Sequence, residues 1–229
     1  MNIKDNLHTI HKQIDEACIQ ADRPTNTVTL LAVSKTKPAQ QLINAYNAGQ
    51  RNFGENYVQE AVEKITLLSS GENAEFADIC WHFIGPIQSN KTRLIAENFS
   101  WVHSVDRIKV ATRLNEQRSP QDTPLNICLQ VNISSESAKS GVAIDELPQL
   151  AQYVNQCERL TLRGLMAIPE KNAPKSTFDH MHQLFNDLKK QYSTIDTLSM
   201  GMSNDLALAV SAGSTMVRVG TAIFGRRDT

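Results

Sequence analysis

The chain has 229 residues, with 23 basic side chains against 24 acidic ones and a formal net charge of −1. This balance argues against a nucleic-acid binder and against a polybasic protein of the membrane surface. No stretch approaches the roughly 20 consecutive apolar residues of a membrane span, and the amino terminus lacks the apolar core of a signal peptide. We therefore expect a cytoplasmic protein with no membrane partner.

The first predicted element is an amphipathic helix, because apolar side chains between Ile3 and Ala21 recur at steps of three and four. It should end before Pro24. Residues 28–33 are typical of a buried parallel strand, and Pro38 opens a helix that stops at Gly49. Further strands are predicted at 52–53, 81–84, 101–105, 125–132, 162–168, 197–199 and 216–219. The helices between and after them are predicted at 56–68, 89–98, 107–117, 145–156, 176–191 and 203–212, and only a short tail follows the last strand.

Alternating strands and helices predict a parallel α/β sheet covered by helices. Eight such units fit a single (β/α)8 TIM-type barrel with an extra N-terminal helix. The alternative is an open doubly wound sheet, although the Gly-x-Gly-x-x-Gly sequence expected after its first strand is missing from this chain. No linker-like stretch divides the sequence, and residues 69–78 resemble a surface connection, so we expect one domain over residues 1–229.

Metal and disulfide sites are not predicted. The four cysteines form no Cys-x-x-Cys pair and are expected to be reduced thiols. His180 and His182 lie two positions apart, which places them on different faces of a helix and makes them a poor metal pair. His82 leaves two interpretations open, a hydrogen-bonded core histidine or a residue at the barrel mouth.

Lys35 is the first candidate functional residue. In such a barrel the functional groups gather at the carboxyl ends of the strands, and Lys35 directly follows a predicted strand on the same face as Val33. A lysine that is buried or flanked by cations loses part of its usual pKa of about 10.4, which leaves free amine to attack an aldehyde. The alternative is a strand-end lysine that extends into water.

Arg218 is the second candidate, because it interrupts the otherwise apolar final strand. A buried guanidinium needs partners. If Arg218 faces the outside of the barrel, a carboxylate on a neighbouring helix could pair with it. If it points into the mouth, it provides a fixed cation beside any ligand bound there.

Two glycine-containing turns follow the last two predicted strands, one at 201–203 and one at Gly220-Thr221. Many barrels of this class hold a phosphate at this position with backbone N–H groups, a hydroxyl and a short helix. Ser203 is placed to cap the helix predicted from 203, and a capping hydroxyl can also turn toward a ligand.

Six segments carry a resemblance that spans nearly the whole chain. They are 32–38 (AVSKTKP), 53–60 (FGENYVQE), 81–91 (WHFIGPIQSNK), 164–169 (GLMAIP), 198–203 (LSMGMS) and 217–225 (VRVGTAIFG). Together and in this order they resemble the signatures of the pyridoxal phosphate homeostasis protein family.

The resemblance implies a barrel similar to the N-terminal domain of alanine racemase, with pyridoxal 5'-phosphate (PLP) at its mouth. It assigns a Schiff base to Lys35 and places Arg218 beside the pyridine nitrogen. It also implies that Ser203, Gly220 and Thr221 hold the phosphate. Asn56 and Met166 are implied as pocket neighbours.

The function implied by the resemblance is a PLP-binding protein of intracellular PLP homeostasis, expected to be monomeric and not an enzyme, with PLP-dependent apoenzymes as candidate recipients. An arginine can only donate to the ring nitrogen, which weakens the ring as an electron sink. The chain ends at Thr229, so we expect no second domain like the one that supplies the racemase tyrosine. The alternatives are a PLP-dependent racemase or related enzyme, with His82 or a dimer partner as proton relay, and a phosphosugar enzyme without a cofactor.

Overall fold

The computed structural model describes residues 2–69, 75–134 and 140–226. Eight parallel strands form a closed barrel in the order of the sequence, with the last strand paired to the first. The strands are β1 (Thr29–Val33), β2 (Asn52–Glu55), β3 (Cys80–Phe83), β4 (Trp101–Val105), β5 (Leu125–Gln130), β6 (Leu160–Met166), β7 (Thr197–Ser199) and β8 (Met216–Val219). The predicted (β/α)8 barrel is confirmed, and the open doubly wound sheet is wrong.

The helices of the described residues are α1 (Ile3–Gln20), α2 (Ala39–Asn47), α3 (Val58–Ser69), α4 (Thr92–Asn98), α5 (Ile108–Gln117), α6 (Leu147–Asn155), α7 (Lys175–Gln191), α8 (Leu206–Ser211) and α9 (Thr221–Phe224). Short 3-10 turns form at Thr25–Thr27 and Ser89–Lys91. Part of the predicted surface connection at 69–78 lies outside the described residues, as does the middle of the loop after β5. Within the described part of the chain, no helix is both long and apolar enough to cross a membrane.

The N-terminal helix is the extra element that the sequence predicts. Its side chain at Asn2 accepts a hydrogen bond from the Lys4 amide at 3.1 Å, which caps the first turn. Its apolar stripe is buried against α8 and α9. The helix ends at Gln20, before Pro24, as expected.

Two differences from the sequence-based elements lie near the barrel mouth. The helix after β7 begins at Leu206, with Asp205 rather than Ser203 at the N-cap position. The predicted cap at Ser203 is therefore wrong. The Met202 amide donates to Asp205 Oδ1 at 2.5 Å, which holds residues 202–205 in a turn. The segment after β8 is not only a tail, because it forms the single-turn helix α9.

Candidate functional site

A cavity of 490 Å³ opens at the carboxyl ends of the strands, where barrels of this class hold their functional groups. Its size falls within the range of small-molecule sites. Six of the seven sequence-predicted site residues line it, namely Lys35, Asn56, Ser203, Arg218, Gly220 and Thr221. Met166 is not among the described lining residues, since it is fully buried at the end of β6. The wall also contains Val33, Ile84, Ile168, Met202 and Asn204.

Lys35 lies two residues beyond the end of β1, in a turn whose next residue, Thr36, has φ of +60°. This turn separates the two nearby lysines. Lys35 lines the cavity, whereas the Nζ atom of Lys37 donates to the backbone oxygen of Arg226 at 2.7 Å. Of these two lysines, Lys35 lies at the cavity wall and Lys37 does not line it.

Arg218 lies in β8 and is only 5% exposed. Its Nη1 atom donates to the backbone oxygen and the Oγ of Ser199 at 2.7 and 2.8 Å, and its Nη2 atom donates to the Ala167 oxygen at 2.9 Å. Burial lowers the pKa of Arg218 to about 10, so the guanidinium stays charged at neutral pH. Arg218 is thus an oriented cation on the cavity wall, held by β7 and the residue after β6.

A chain of hydrogen bonds continues from Arg218 across the barrel interior. Ser199 Oγ lies 2.9 Å from His103 Nδ1, His103 Nε2 lies 2.9 Å from His82 Nδ1, and His82 Nε2 lies 3.1 Å from Asn52 Oδ1. Because β4 and β7 are not neighbours, the bond between His103 and Ser199 must cross the interior. Neither His103 nor Ser199 was predicted from the sequence as part of this system.

The direction of every bond in this chain follows from Asn52 when both imidazoles are neutral. The Asn52 Oδ1 atom only accepts, so His82 donates from Nε2 and accepts at Nδ1. His103 then donates to His82 from Nε2 and accepts the Ser199 hydroxyl proton at Nδ1. Each neutral imidazole therefore has one defined tautomer.

Electrostatics agree with two neutral histidines. Burial lowers the pKa of His82 to about 3. The pKa of His103 is held well below its usual range by burial first, then by His82 and Arg218. His82 is a hydrogen-bonded core histidine and does not line the cavity in the described structure, which decides between the two interpretations of that residue.

The two glycine turns bring backbone close to the cavity. Gly201 follows β7 with φ of +100°, and a Cβ atom there would lie 2.6 Å from the Cβ of Ala209. A Cβ atom on Gly220 would lie 3.0 Å from the backbone oxygen of Val33. The turn at Gly201 therefore requires a residue without a side chain, and the turn at Gly220 leaves little room for one. The hydroxyl-bearing residues Ser203 and Thr221 stand beside them on the cavity wall.

A second polar system, missed by the sequence analysis, lies beside Lys35. Glu55, at the end of β2, accepts a hydrogen bond from the Ser34 hydroxyl at 2.6 Å and pairs with Lys64 Nζ at 2.8 Å. Burial raises the pKa of Glu55, and the charge and hydrogen bond of Lys64 oppose that shift. The available signal was Lys64 itself, since it shares the apolar stripe of α3 with Ala61 and Ile65.

Among residues 2–69, 75–134 and 140–226, no group of three or more His, Cys, Asp or Glu side chains is placed to hold a metal ion. The four cysteines are free thiols there. Burial raises the pKa of Cys80 and Cys128, which keeps both thiols protonated.

Comparisons with known proteins agree with the geometry. The family model described as alanine racemase, N-terminal domain, matches residues 6–228. A Haemophilus influenzae protein named pyridoxal phosphate homeostasis protein is 52% identical over 235 residues, which cover 100% of this chain and 97% of that protein. The chain belongs to the pyridoxal phosphate homeostasis protein family. The resemblance predicted from the six sequence segments is confirmed.

Solved structures show how widely this family's barrel recurs. PipY of Synechococcus elongatus, solved with PLP bound, is 36% identical with a TM-score of 0.79, and the match covers 97% of this chain and 100% of that one. An alanine racemase from Corynebacterium glutamicum is 12% identical with a TM-score of 0.71, over 98% of this chain and 60% of the racemase chain. The similarity to the racemase shows that the two proteins share a fold. It shows nothing about activity or site residues.

Proposed function

We propose that this protein is a cytoplasmic, monomeric PLP-binding protein of intracellular PLP homeostasis, with one barrel domain over residues 1–229. It holds PLP as a Schiff base on Lys35 and releases it to PLP-dependent apoenzymes. The observation that carries the proposal is one cavity that unites the Lys35 amine, the Arg218 guanidinium and two hydroxyl-bearing turns. The names of the curated relatives and the PLP-bound PipY structure support it.

The donor groups of the cavity fit the chemistry of PLP. A neutral Lys35 amine can condense with the aldehyde, forming a carbon–nitrogen double bond as water leaves. The hydroxyls of Ser203 and Thr221, with the close backbone at Gly220, suit the phosphate oxygens. Asn56 Oδ1 is buried with no hydrogen-bond partner among the described residues, which suits an N–H or O–H donor brought by the ligand.

The assignment of a binding role rather than catalysis rests on Arg218. Bound PLP supplies an electron sink for carbanion chemistry, and the strength of that sink depends on protonation of the ring nitrogen. A charged guanidinium beside that nitrogen would donate to it and keep it unprotonated. The fixed orientation of Arg218 on Ser199 and Ala167 would therefore favour holding the cofactor over strong carbanion stabilisation.

Borohydride trapping tests the attachment point. We expect the protein mixed with PLP to develop the visible absorbance of the lysine-bound cofactor, and borohydride to leave a pyridoxyl tag on Lys35. Lys35→Ala should lose both, and Lys37→Ala, two residues away, should keep both because its amine is engaged with Arg226. A tag on another side chain, or none, would overturn the proposal.

A second measurement separates binding from catalysis. We expect amino acids incubated in deuterated water with the loaded protein to exchange their α-protons no faster than with free PLP. Stereospecific exchange well above that background would favour the racemase alternative instead.

A further inference from the structure

A partly buried cluster of charges lies beside the Lys35 turn and plays no part in lining the cavity of the described structure. It consists of Glu55, Glu60 and Lys64, and we call it the carboxylate–lysine cluster. Lys64 Nζ lies 2.8 Å from Glu55 Oε1 and 2.6 Å from Glu60 Oε1. The side chains of Lys64 and Glu55 are 8% and 0% exposed, so the ion pair is held in a low-dielectric site where both charges need further partners.

Those further partners are the two residues that flank Lys35. Lys64 Nζ donates to the backbone oxygen of Ser34 at 2.9 Å, and the Ser34 hydroxyl donates to Glu55. On the other side, the Thr36 amide donates to Glu60 Oε1 at 2.7 Å. The cluster therefore forms hydrogen bonds with the residues immediately before and immediately after Lys35. None of the contacts named above involves the Lys35 side chain.

The conformation that the cluster holds is an unfavourable one. Thr36 has φ of +60°, which a β-branched residue rarely adopts because its side chain crowds the following carbonyl. Such a turn persists only where surrounding contacts outweigh its strain. The hydrogen bond to Glu60 is charge-assisted and is the contact at Thr36 itself.

We infer that the carboxylate–lysine cluster is a positioning device: it locks the turn at residues 34–36 so that the amine of Lys35, and not that of Lys37, is presented to the aldehyde. The inference rests on the proposed function and deepens it. Glu60 is its decisive residue because it alone of the three acts on Thr36. If the turn relaxes, the direction in which the two lysines leave the backbone is no longer fixed.

The experiment measures the rate and the site of attachment of PLP in Glu60→Ala. We expect the visible absorbance to develop roughly tenfold or more slowly than in the parent, since misplacement of a reacting group by about 1 Å can cost this much. We also expect the borohydride tag to spread from Lys35 to Lys37. Glu63→Ala, an exposed position on α3, is the matched control and should behave as the parent.

Two further variants separate positioning from a general effect on folding. Adding Thr36→Gly to Glu60→Ala should restore part of the rate and of the Lys35 tag, because glycine adopts a positive φ without the Cβ penalty. Glu60→Gln retains an acceptor for the Thr36 amide but forms a weaker, uncharged bond, so its rate should lie between those of the parent and Glu60→Ala. If Glu60→Ala does not fold, the reduced rate of Glu60→Gln still tests the inference.

The outcomes distinguish this inference from the proposal beneath it. A parent protein that takes no tag on Lys35 would defeat the proposed function. A parent tagged on Lys35, together with folded Glu60 variants that match it in rate and tag position, would defeat the positioning role alone.

Discussion

The two interior histidines are the residues with the least ordinary environment in this barrel. Both are fully buried, and the chain of hydrogen bonds that joins them runs from a cation at one end to an amide oxygen at the other. A half-satisfied network of this kind would be costly in a low-dielectric interior. The complete chain therefore fixes the orientation of Arg218 through His103 and Ser199, as well as filling the core.

Stability should fall with acidity because of these histidines. Burial lowers the pKa of His82 to about 3 and that of His103 well below 6.5, so below pH 6.5 the unfolded state binds more protons than the folded state. Each histidine should then reduce the free energy of unfolding by about 1.4 kcal/mol per pH unit. Urea unfolding of the parent and of His103→Gln at pH 6, 5.5 and 5 measures this.

The difference between the two proteins should shrink by about 1.4 kcal/mol per unit as the pH falls, since the variant lacks one titrating imidazole. Burial raises the pKa of Glu55, a shift whose contribution has the opposite sign, because the folded state then binds its proton more readily than the unfolded state does. That contribution is common to both proteins and cancels in the subtraction. Parallel curves would show that the histidines are not neutral in the folded barrel.

At the residue scale, the sequence predicted the cations that follow or interrupt apolar strands and missed the uncharged polar groups that point inward. Lys35 follows an apolar strand and Arg218 interrupts one, so both stand out. His103 and Ser199 meet across 96 positions of sequence. Their contact depends on which face of each strand points into the closed barrel, and that face is set by strand pairing rather than by local pattern.

At the element scale, the observed starts of two helices differ from the predicted ones. At one of them a side chain forms a hydrogen bond with a backbone amide before the helix. The sequence placed the start of the helix after β7 at Ser203, a good capping residue. In the structure Asp205 binds the Met202 amide, and the helix begins at Leu206. The helix predicted from 56 likewise begins at Val58. Asn56 is left outside the helix and contributes to the cavity wall.

Replacing two glycines by alanine separates the cost of a positive φ from the cost of a steric overlap. Gly201 and Gly49 share φ values of +100° and +101°, but a Cβ atom on Gly201 would meet Ala209 whereas one on Gly49 meets nothing within 4 Å. Gly49→Ala should lower the free energy of unfolding by about 1–2 kcal/mol through its backbone alone. Gly201→Ala should cost about 1–3 kcal/mol more, because the turn must also relieve the overlap.

Urea unfolding of the two variants and the parent provides the comparison. Equal losses would mean that the turn after β7 shifts freely. In that case the close contact between Gly201 and Ala209 would not limit which residue the turn accepts.

On the scale of the whole molecule, counting strand–helix units was enough to predict closure. Each of the eight predicted strands overlaps an observed one, and the helix-containing crossovers between them are long enough for parallel neighbours. The chain of hydrogen bonds from Arg218 to Asn52 inside the barrel was not predictable in the same way. Strands covered on both faces are apolar along most of their length, so a few inward polar residues do not change the pattern that identifies them.

Ligand binding should stabilise the whole barrel, because β1, β2, β7 and β8 all end at the cavity. At a PLP concentration 100 times the dissociation constant, the gain is about 2.7 kcal/mol. For a chain of this size that corresponds to a rise of roughly 5–10 °C in the melting temperature.

Two lysine variants test which amine is responsible for the stabilisation by PLP. Lys35→Ala should abolish most of the rise, since it removes the proposed covalent attachment. Lys37→Ala should melt lower without PLP, because Lys37 is buried and bound to Arg226, yet it should show the full rise on adding PLP. A rise that depends on Lys37 and not on Lys35 would reverse the roles of the two amines. The parent, both variants and inorganic phosphate as a ligand control, compared by differential scanning calorimetry, decide between these patterns.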